Sequence, residues 1–153
     1  LLPLLQTNGK GAPAQIGYDL TLHSVKRVVG GVITQDKTSP HPYEEIYPST
    51  GPTGKLMYSL QPGAYSLTFD QGIKLDRTHS AFVVHRSSVL RSGGVICSGV
   101  FDPSFHTDQI GAVLIAHCPL SIEKGARVAQ IIMFENYEAE AYNGQWAGSK
   151  DYK

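Results

Sequence analysis

Apolar and polar residues alternate over short stretches of this chain, and the stretches end at glycine or proline. Runs rich in Val, Ile, Tyr, Phe and Thr recur about every ten residues, the mark of strands rather than helices. The pattern predicts strands over 17–22, 28–34, 55–60, 64–69, 81–85, 94–100, 111–116 and 126–134. Turn chemistry separates them, as in Gln61-Pro-Gly63, Asp102-Pro-Ser104 and Lys124-Gly125. Sixteen Gly and nine Pro interrupt nearly every window long enough for a helix. One short helix is predicted at Ser87–Arg91, where Arg86-Ser-Ser88 supplies a start. Strand after strand with short connections predicts an all-β fold: a sandwich, a jelly roll or a distorted barrel. The stretch 36–54, with Pro40, Pro42, Pro48 and Pro52, predicts a long surface loop or extended hairpin. From Tyr137 onward the chain reads as a polar tail, and its only Trp, Trp146, predicts that the tail docks on something.

Length adds that 153 residues make one domain, 1–153. A domain of this size buries roughly 68–70% of its unfolded surface and needs no staples to fold. The formal net charge is zero, which leaves no broad basic surface for nucleic acid or for an anionic membrane. A small anion needs only a few local cations or N–H groups, so it stays open as a ligand. Cys97 and Cys118 form no C-x-x-C pair, which argues against a zinc site. Reduced, buried thiols are the expected state, with one disulfide left open. No apolar run approaches the roughly 18 residues of a membrane span. Leu1-Leu-Pro-Leu-Leu5 lacks a basic flank and is cut by Pro3, so a cytoplasmic location is expected.

The catalytic devices most easily read from sequence are missing. There is no G-x-S-x-G elbow, and His85 lies too close along the chain to Ser87 and Ser88 to make a working triad with them. The six His residues show no H-x-x-x-H spacing. What remains is a series of polar clusters at predicted strand ends: Gly17-Tyr-Asp-Leu20, Arg86-Ser-Ser-Val-Leu-Arg91, Gly99-Val-Phe-Asp-Pro-Ser-Phe105, Gly125-Ala-Arg-Val-Ala-Gln130 and Tyr142-Asn-Gly-Gln-Trp-Ala-Gly148. Each has a plain structural account: a helix start, a type I turn with Asp at its first position, a hairpin.

In this order, however, the clusters resemble the five motifs of the trimeric dUTPase / dCTP deaminase superfamily, over roughly residues 15–150. Ile16-Gly-Tyr-Asp-Leu20 resembles A-G-Y-D-L, and His85-Arg-Ser-Ser88 resembles G-R-S-S. Gly99-Val-Phe-Asp-Pro-Ser-Phe105, rejoining at Ile110-Gly111, is similar to G-V-I-D-x-x-Y-x-G-x-I-G. Gly125-Ala-Arg-Val-Ala-Gln130 is similar to G-x-R-I-A-Q. The tail is closer to the deaminase pattern Y-x-G-K-Y-Q-G than to the G-F-G-S of dUTPases. The resemblance implies a distorted jelly-roll or β-clip-type barrel with at most one short helix. It also implies a homotrimer with sites at subunit contacts, a deoxypyrimidine triphosphate as substrate, and Mg2+ held mainly by that triphosphate rather than directly by the protein.

The third motif separates the two chemistries. Deaminases of this superfamily carry a general-base Glu in a pattern like I-V-L-E; the matching stretch here is Ala112-Val-Leu-Ile115, so Ile115 holds the Glu position. An alkyl group cannot move the proton that deamination needs, a service worth about 10²–10⁴-fold in rate. Asp108 is the reserve acid, and Glu123 lies too far along. Asp102 matches the residue that orients the attacking water in dUTPases. By the same resemblance Arg86, Ser87, Ser88 and Gln130 would meet the phosphates, and a hairpin at 95–101, beginning at Val95, would read the base edge. Phe105 would pack under the deoxyribose in place of Tyr. Arg91 matches an Arg that deaminases use near the base, Asp19 is a supporting residue, and Trp146 and Lys150 would close the tail, 137–153, over the site. The expected activity is hydrolysis of dUTP to dUMP and pyrophosphate. The alternatives are a dCTP deaminase, a bifunctional enzyme, or a catalytically silent nucleotide-binding relative.

Overall fold

Six antiparallel strands close on one another in a computed structural model that describes residues 2–40 and 42–137. They are β1 (Tyr18–Arg27), β2 (Gly63–Phe69), β3 (His79–His85), β4 (Gly94–Cys97), β5 (Gly111–Ala116) and β6 (Arg127–Glu135). Around the barrel the order is β6-β3-β4-β5-β2-β1, and β1 returns to β6 through Leu20↔Ala129, Asp19↔Gln130 and Tyr18↔Ile131. Closure leaves none of the six as an open edge, where unpaired backbone groups would invite aggregation. The ring curves with the help of register shifts in β1, at Leu22/Ser24 against β2 and opposite Arg127/Ala129 in β6.

Period-two alternation explains which residues face in. On β5, Ala112, Leu114 and Ala116 are buried while Val113 and Ile115 face out. Tyr65, Leu67 and Phe69 of β2 and Leu20 and Leu22 of β1 complete the interior with Ile96, Ile131 and Val83. Each fully buried side chain of this kind contributes roughly 1.5–3 kcal/mol relative to exposure.

Shorter pairings dress the barrel. Leu5–Gln6 pairs with Gly72–Lys74, which pairs with His106–Thr107. Leu56–Leu60 lies between Ser49–Thr50 and Leu120–Glu123. Ala12–Pro13 pairs with β1. The expected loop over 36–54 is more ordered than that: Thr38–Pro40 forms a hairpin with Gly31–Ile33, and Glu44–Ile46 extends the sheet beside Val25–Arg27. The single α-helix among the described residues, α1, is Ser87–Arg91, as the sequence predicts. The expected strand over 94–100 ends at Cys97, because Phe101 turns away to bridge Ala81. Both cysteines are free and exposed, not buried as expected. Parity decides Cys97: Ile96 takes the inward place on β4, so its neighbour points out.

The predicted tail lies outside the described residues from 138 onward, and Trp146 and Lys150 with it. Among the described residues no helix is long and apolar enough to cross a membrane.

Candidate active site

Barrel closure brings three of the five sequence clusters to one place. The β1–β6 register sets Asp19 opposite Gln130, and the same strand β6 begins at Arg127. Asp19 is nearly buried, and its Oδ2 lies 3.3 Å from Arg86 Nε and 3.3 Å from Arg127 Nη1. Arg86 is tied down further: its N–H donates to Val128 O at 3.0 Å and its Nη1 donates to Arg127 O at 3.3 Å. One carboxylate thus holds two guanidinium groups side by side at the start of α1, each still partly open to water. Ser87 and Ser88 are exposed there, and no side chain caps the helix, so the first-turn N–H groups add to an anion-attracting edge. A groove of about 420 Å³ adjoins it, lined in part by Ser88, Val89, Leu120, Ile122, Arg127 and Val128. Close approach of β1 to β6 explains Gly17: a Cβ there would run into the Ile131 carbonyl oxygen.

Arg127 is the functional candidate that the sequence reading passed over. It stood in the quoted cluster Gly125-Ala-Arg-Val-Ala-Gln130, and only the ion pair with Asp19 distinguishes it from an ordinary surface cation.

Asp102 sits elsewhere. Phe101 exchanges both backbone hydrogen bonds with Ala81, which sets the following turn at the far end of β3. Phe105 N–H donates to Asp102 O at 3.1 Å, and Ser104 occupies φ 72°, uncommon for a residue other than Gly. Ser104 N–H is anchored on Asp76 O at 3.0 Å. The Asp102 side chain is exposed. Phe105 is half-buried, its ring stacked on Phe101 at 5.1 Å with planes 8° apart. From Ala81 to Arg86 is five residues of strand, about 16 Å at the usual rise. Within one chain, Asp102 is therefore not beside Arg86, Ser87 and Ser88. Val95 is half-buried and pairs with Ile115, whose alkyl side chain also faces outward. Asp108 is exposed in the turn before β5, and Arg91 is exposed at the end of α1.

Asp76 steadies the Asp102 turn and carries a measurable consequence. His79 Nδ1 at 2.8 Å, Thr78 N–H at 2.9 Å and Thr78 Oγ1 at 2.9 Å all bond to its Oδ1, and these hold the carboxyl down at about 2 against an ordinary 3.8. A folded value below the unfolded one means the contribution is present above the ordinary value and is lost as pH falls through about 2. An NMR titration should find the Asp76 carboxyl with a midpoint near 2. A midpoint at the ordinary value would show that the Asp76 carboxyl is not bonded to Thr78 and His79 in this way.

The chain is thus a closed antiparallel β-barrel protein that carries a carboxylate-clamped pair of arginines beside an Arg-Ser-Ser helix start. The family follows from comparison: the profile described as dCTP deaminase-like matches residues 5–136, and the chain belongs to that family. Among its relatives, a protein of Aeropyrum pernix named "Probable deoxyuridine 5'-triphosphate nucleotidohydrolase" is 29% identical over 97% of this chain and 92% of its own length. The "Deoxyuridine 5'-triphosphate nucleotidohydrolase" of Methanocaldococcus jannaschii is 30% identical over 88% of this chain and 86% of its own. The fold is shared with the 2'-deoxycytidine 5'-triphosphate deaminase from Agrobacterium tumefaciens, at TM-score 0.61 and 15% identity over 86% of this chain. This chain spans 43% of that deaminase's length. It is shared too with a mutant dUTPase from phage phi11 of S. aureus, described with a structural Mg(II) ion, at TM-score 0.51 and 12% identity over 95% of this chain.

Proposed function

We propose that this protein hydrolyses dUTP to dUMP and pyrophosphate, with Asp102 as the residue that orients the attacking water. The observation that carries the choice of chemistry is position 115: where deaminases of the superfamily need a proton-carrying Glu, Ile115 turns an alkyl group outward beside Val95. The names of the archaeal relatives, matched over nearly their whole length, support the same reading.

The roles divide by chemistry. Arg86 and Arg127, held by Asp19, with Ser87, Ser88 and Gln130 would grip the phosphates by charge and hydrogen bonding. The exposed carboxylate of Asp102 would align a water with the α-phosphorus and take its proton. Val95 and the 98–101 backbone would meet the base edge, Phe105 would pack against the sugar, and Arg91, Trp146 and Lys150 would complete the enclosure. The donor set fits a magnesium ion carried in on the triphosphate: the Asp19 carboxylate is engaged by two guanidinium groups, whereas that of Asp102 faces solvent. When bound, Mg2+ would neutralise part of the phosphate charge.

Assembly is part of the proposal. With the Asp102 turn bridged to Ala81, five strand residues or about 16 Å from Arg86, a complete site would draw on a second copy. Exposed apolar side chains on the barrel exterior, Phe134 of β6 at 42% and Val113 of β5 at 36%, are surface that the contacts of a homotrimer would cover.

Incubation with Mg2+ and either dUTP or dCTP should release pyrophosphate from dUTP and no ammonia from dCTP. Ammonia from dCTP would replace this reading with the deaminase; silence with both nucleotides would leave a nucleotide-binding relative.

A further inference from the structure

The barrel has one thin seam, and it lies between the two stretches that carry the substrate motifs. Strands β3 and β4 share a single Cα pair, Val84↔Cys97, whereas β4 and β5 share four and β3 and β6 share seven. On either side of that pair a side chain accepts the hydrogen bond that a strand carbonyl would otherwise take. Val83 N–H donates to Ser98 Oγ at 2.8 Å, and Ile96 N–H donates to His85 Nδ1 at 3.3 Å. Ser98 N–H returns a bond to Val83 O at 3.2 Å, and Ser98 Oγ donates to Gly99 O at 2.7 Å. His85 immediately precedes Arg86-Ser-Ser88, and Ser98 immediately precedes the 99–105 turn that holds Asp102.

We propose that His85 is a positioning residue that latches the β3–β4 seam and thereby fixes the backbone from which Arg86, Ser87 and Ser88 reach the phosphates. The motif this stretch resembles has Gly where this chain has His85, and Gly has no side chain with which to accept the Ile96 N–H. Ile96 is 1% exposed, so its N–H depends on a protein acceptor rather than on water. To accept that bond, Nδ1 must be unprotonated, which places the ring proton of the neutral imidazole on Nε2. The backbone at Arg86 is held by two different strands. Its own N–H is held by Val128 O of β6, and the residue before it is held by β4. Slack at His85 therefore passes directly into the residue that bears the guanidinium.

The proposal rests on the dUTPase reading for its kinetic consequence, but the latch itself can be read without nucleotide. His85→Asn keeps an acceptor oxygen at the place of Nδ1, and His85→Leu fills the space without one. The Leu variant should raise KM for dUTP about tenfold with kcat within about twofold, as expected for loss of uniform phosphate binding. The Asn variant should stay within about twofold of wild type in both. In the nucleotide-free protein the Ile96 amide should exchange with deuterium at least about tenfold faster in the Leu variant and at the wild-type rate in the Asn variant. If the Leu variant does not fold, His85→Ala serves in its place with the same expectations. Equal Ile96 exchange in wild type and the acceptor-free variant overturns the latch, as does an Asn variant as impaired as the Leu one. If the wild-type protein turns over no dUTP, the proposed function fails by itself, and the Ile96 exchange still decides the latch.

Discussion

Asp102→Asn should lower kcat for dUTP by about 10²–10⁴-fold while leaving nucleotide affinity nearly unchanged. Asn is the same size and keeps one acceptor oxygen, so a water can still sit beside it. It has no charge with which to take that water's proton as the bond to phosphorus forms. The substitution is expected to be silent for folding. The Asp102 side chain is exposed, and the turn is built by backbone bonds, from Phe101 to Ala81, Phe105 to Asp102 O and Ser104 to Asp76 O. Changes at such surface positions usually stay within about 0.5 kcal/mol. Pyrophosphate release measured beside a thermal melt and nucleotide titration separates these effects. Unchanged turnover would remove Asp102 from its role, whereas a collapse in melting temperature would make its loss structural.

Two inactive variants should restore each other when mixed. Arg86→Ala removes a proposed phosphate contact and Asp102→Asn removes the proposed water-orienting carboxylate. Ala81, to which the Asp102 turn is bridged, lies five strand residues from Arg86, about 16 Å. If each site draws Asp102 from one copy and Arg86 from another, a co-expressed equal mixture contains intact sites built from the good half of each variant. Random assembly makes these about a quarter of all sites, so about a quarter of wild-type activity should return. Arg86→Ala leaves the Asp19 carboxylate paired with Arg127 at 3.3 Å, so its charge is not abandoned inside the fold. Mixed oligomers with no recovered activity would mean that the site is completed within one chain, against the register seen here.

Strands with one buried face were legible from the chain alone. The stretch 111–116 matches β5 end for end, because alternation of Ala112, Leu114 and Ala116 with outward residues admits only one placement against a core. The two- to four-residue strands at Leu5–Gln6, Gly72–Lys74, His106–Thr107 and Leu120–Glu123 were not legible. Segments that short have no period to read, and their partners lie far away in sequence, as Leu5 does from Ile73. The same limit applies to the cysteines. Composition favours burial for a free Cys, but one step of parity on β4 puts Cys97 outside and Ile96 inside.

For the site, the amino-acid sequence determined the chemistry on offer: a carboxylate in a turn, an Arg-Ser-Ser helix start, a second basic cluster ending in Gln130, and an alkyl group at 115. Those are properties of residue types in order, and order needs no fold. Which of them meet was decided only by the closed barrel. Pairing of β1 with β6 set Asp19 between Arg86 and Arg127, residues 67 and 108 positions away along the chain. The Ala81↔Phe101 bridge set Asp102 at the opposite end of β3 from Arg86, and the seam of β3 with β4 gave His85 its acceptor role. Hydrogen-bond register across a barrel is a long-range quantity, fixed by all six strands closing together, and no local stretch of residues contains it.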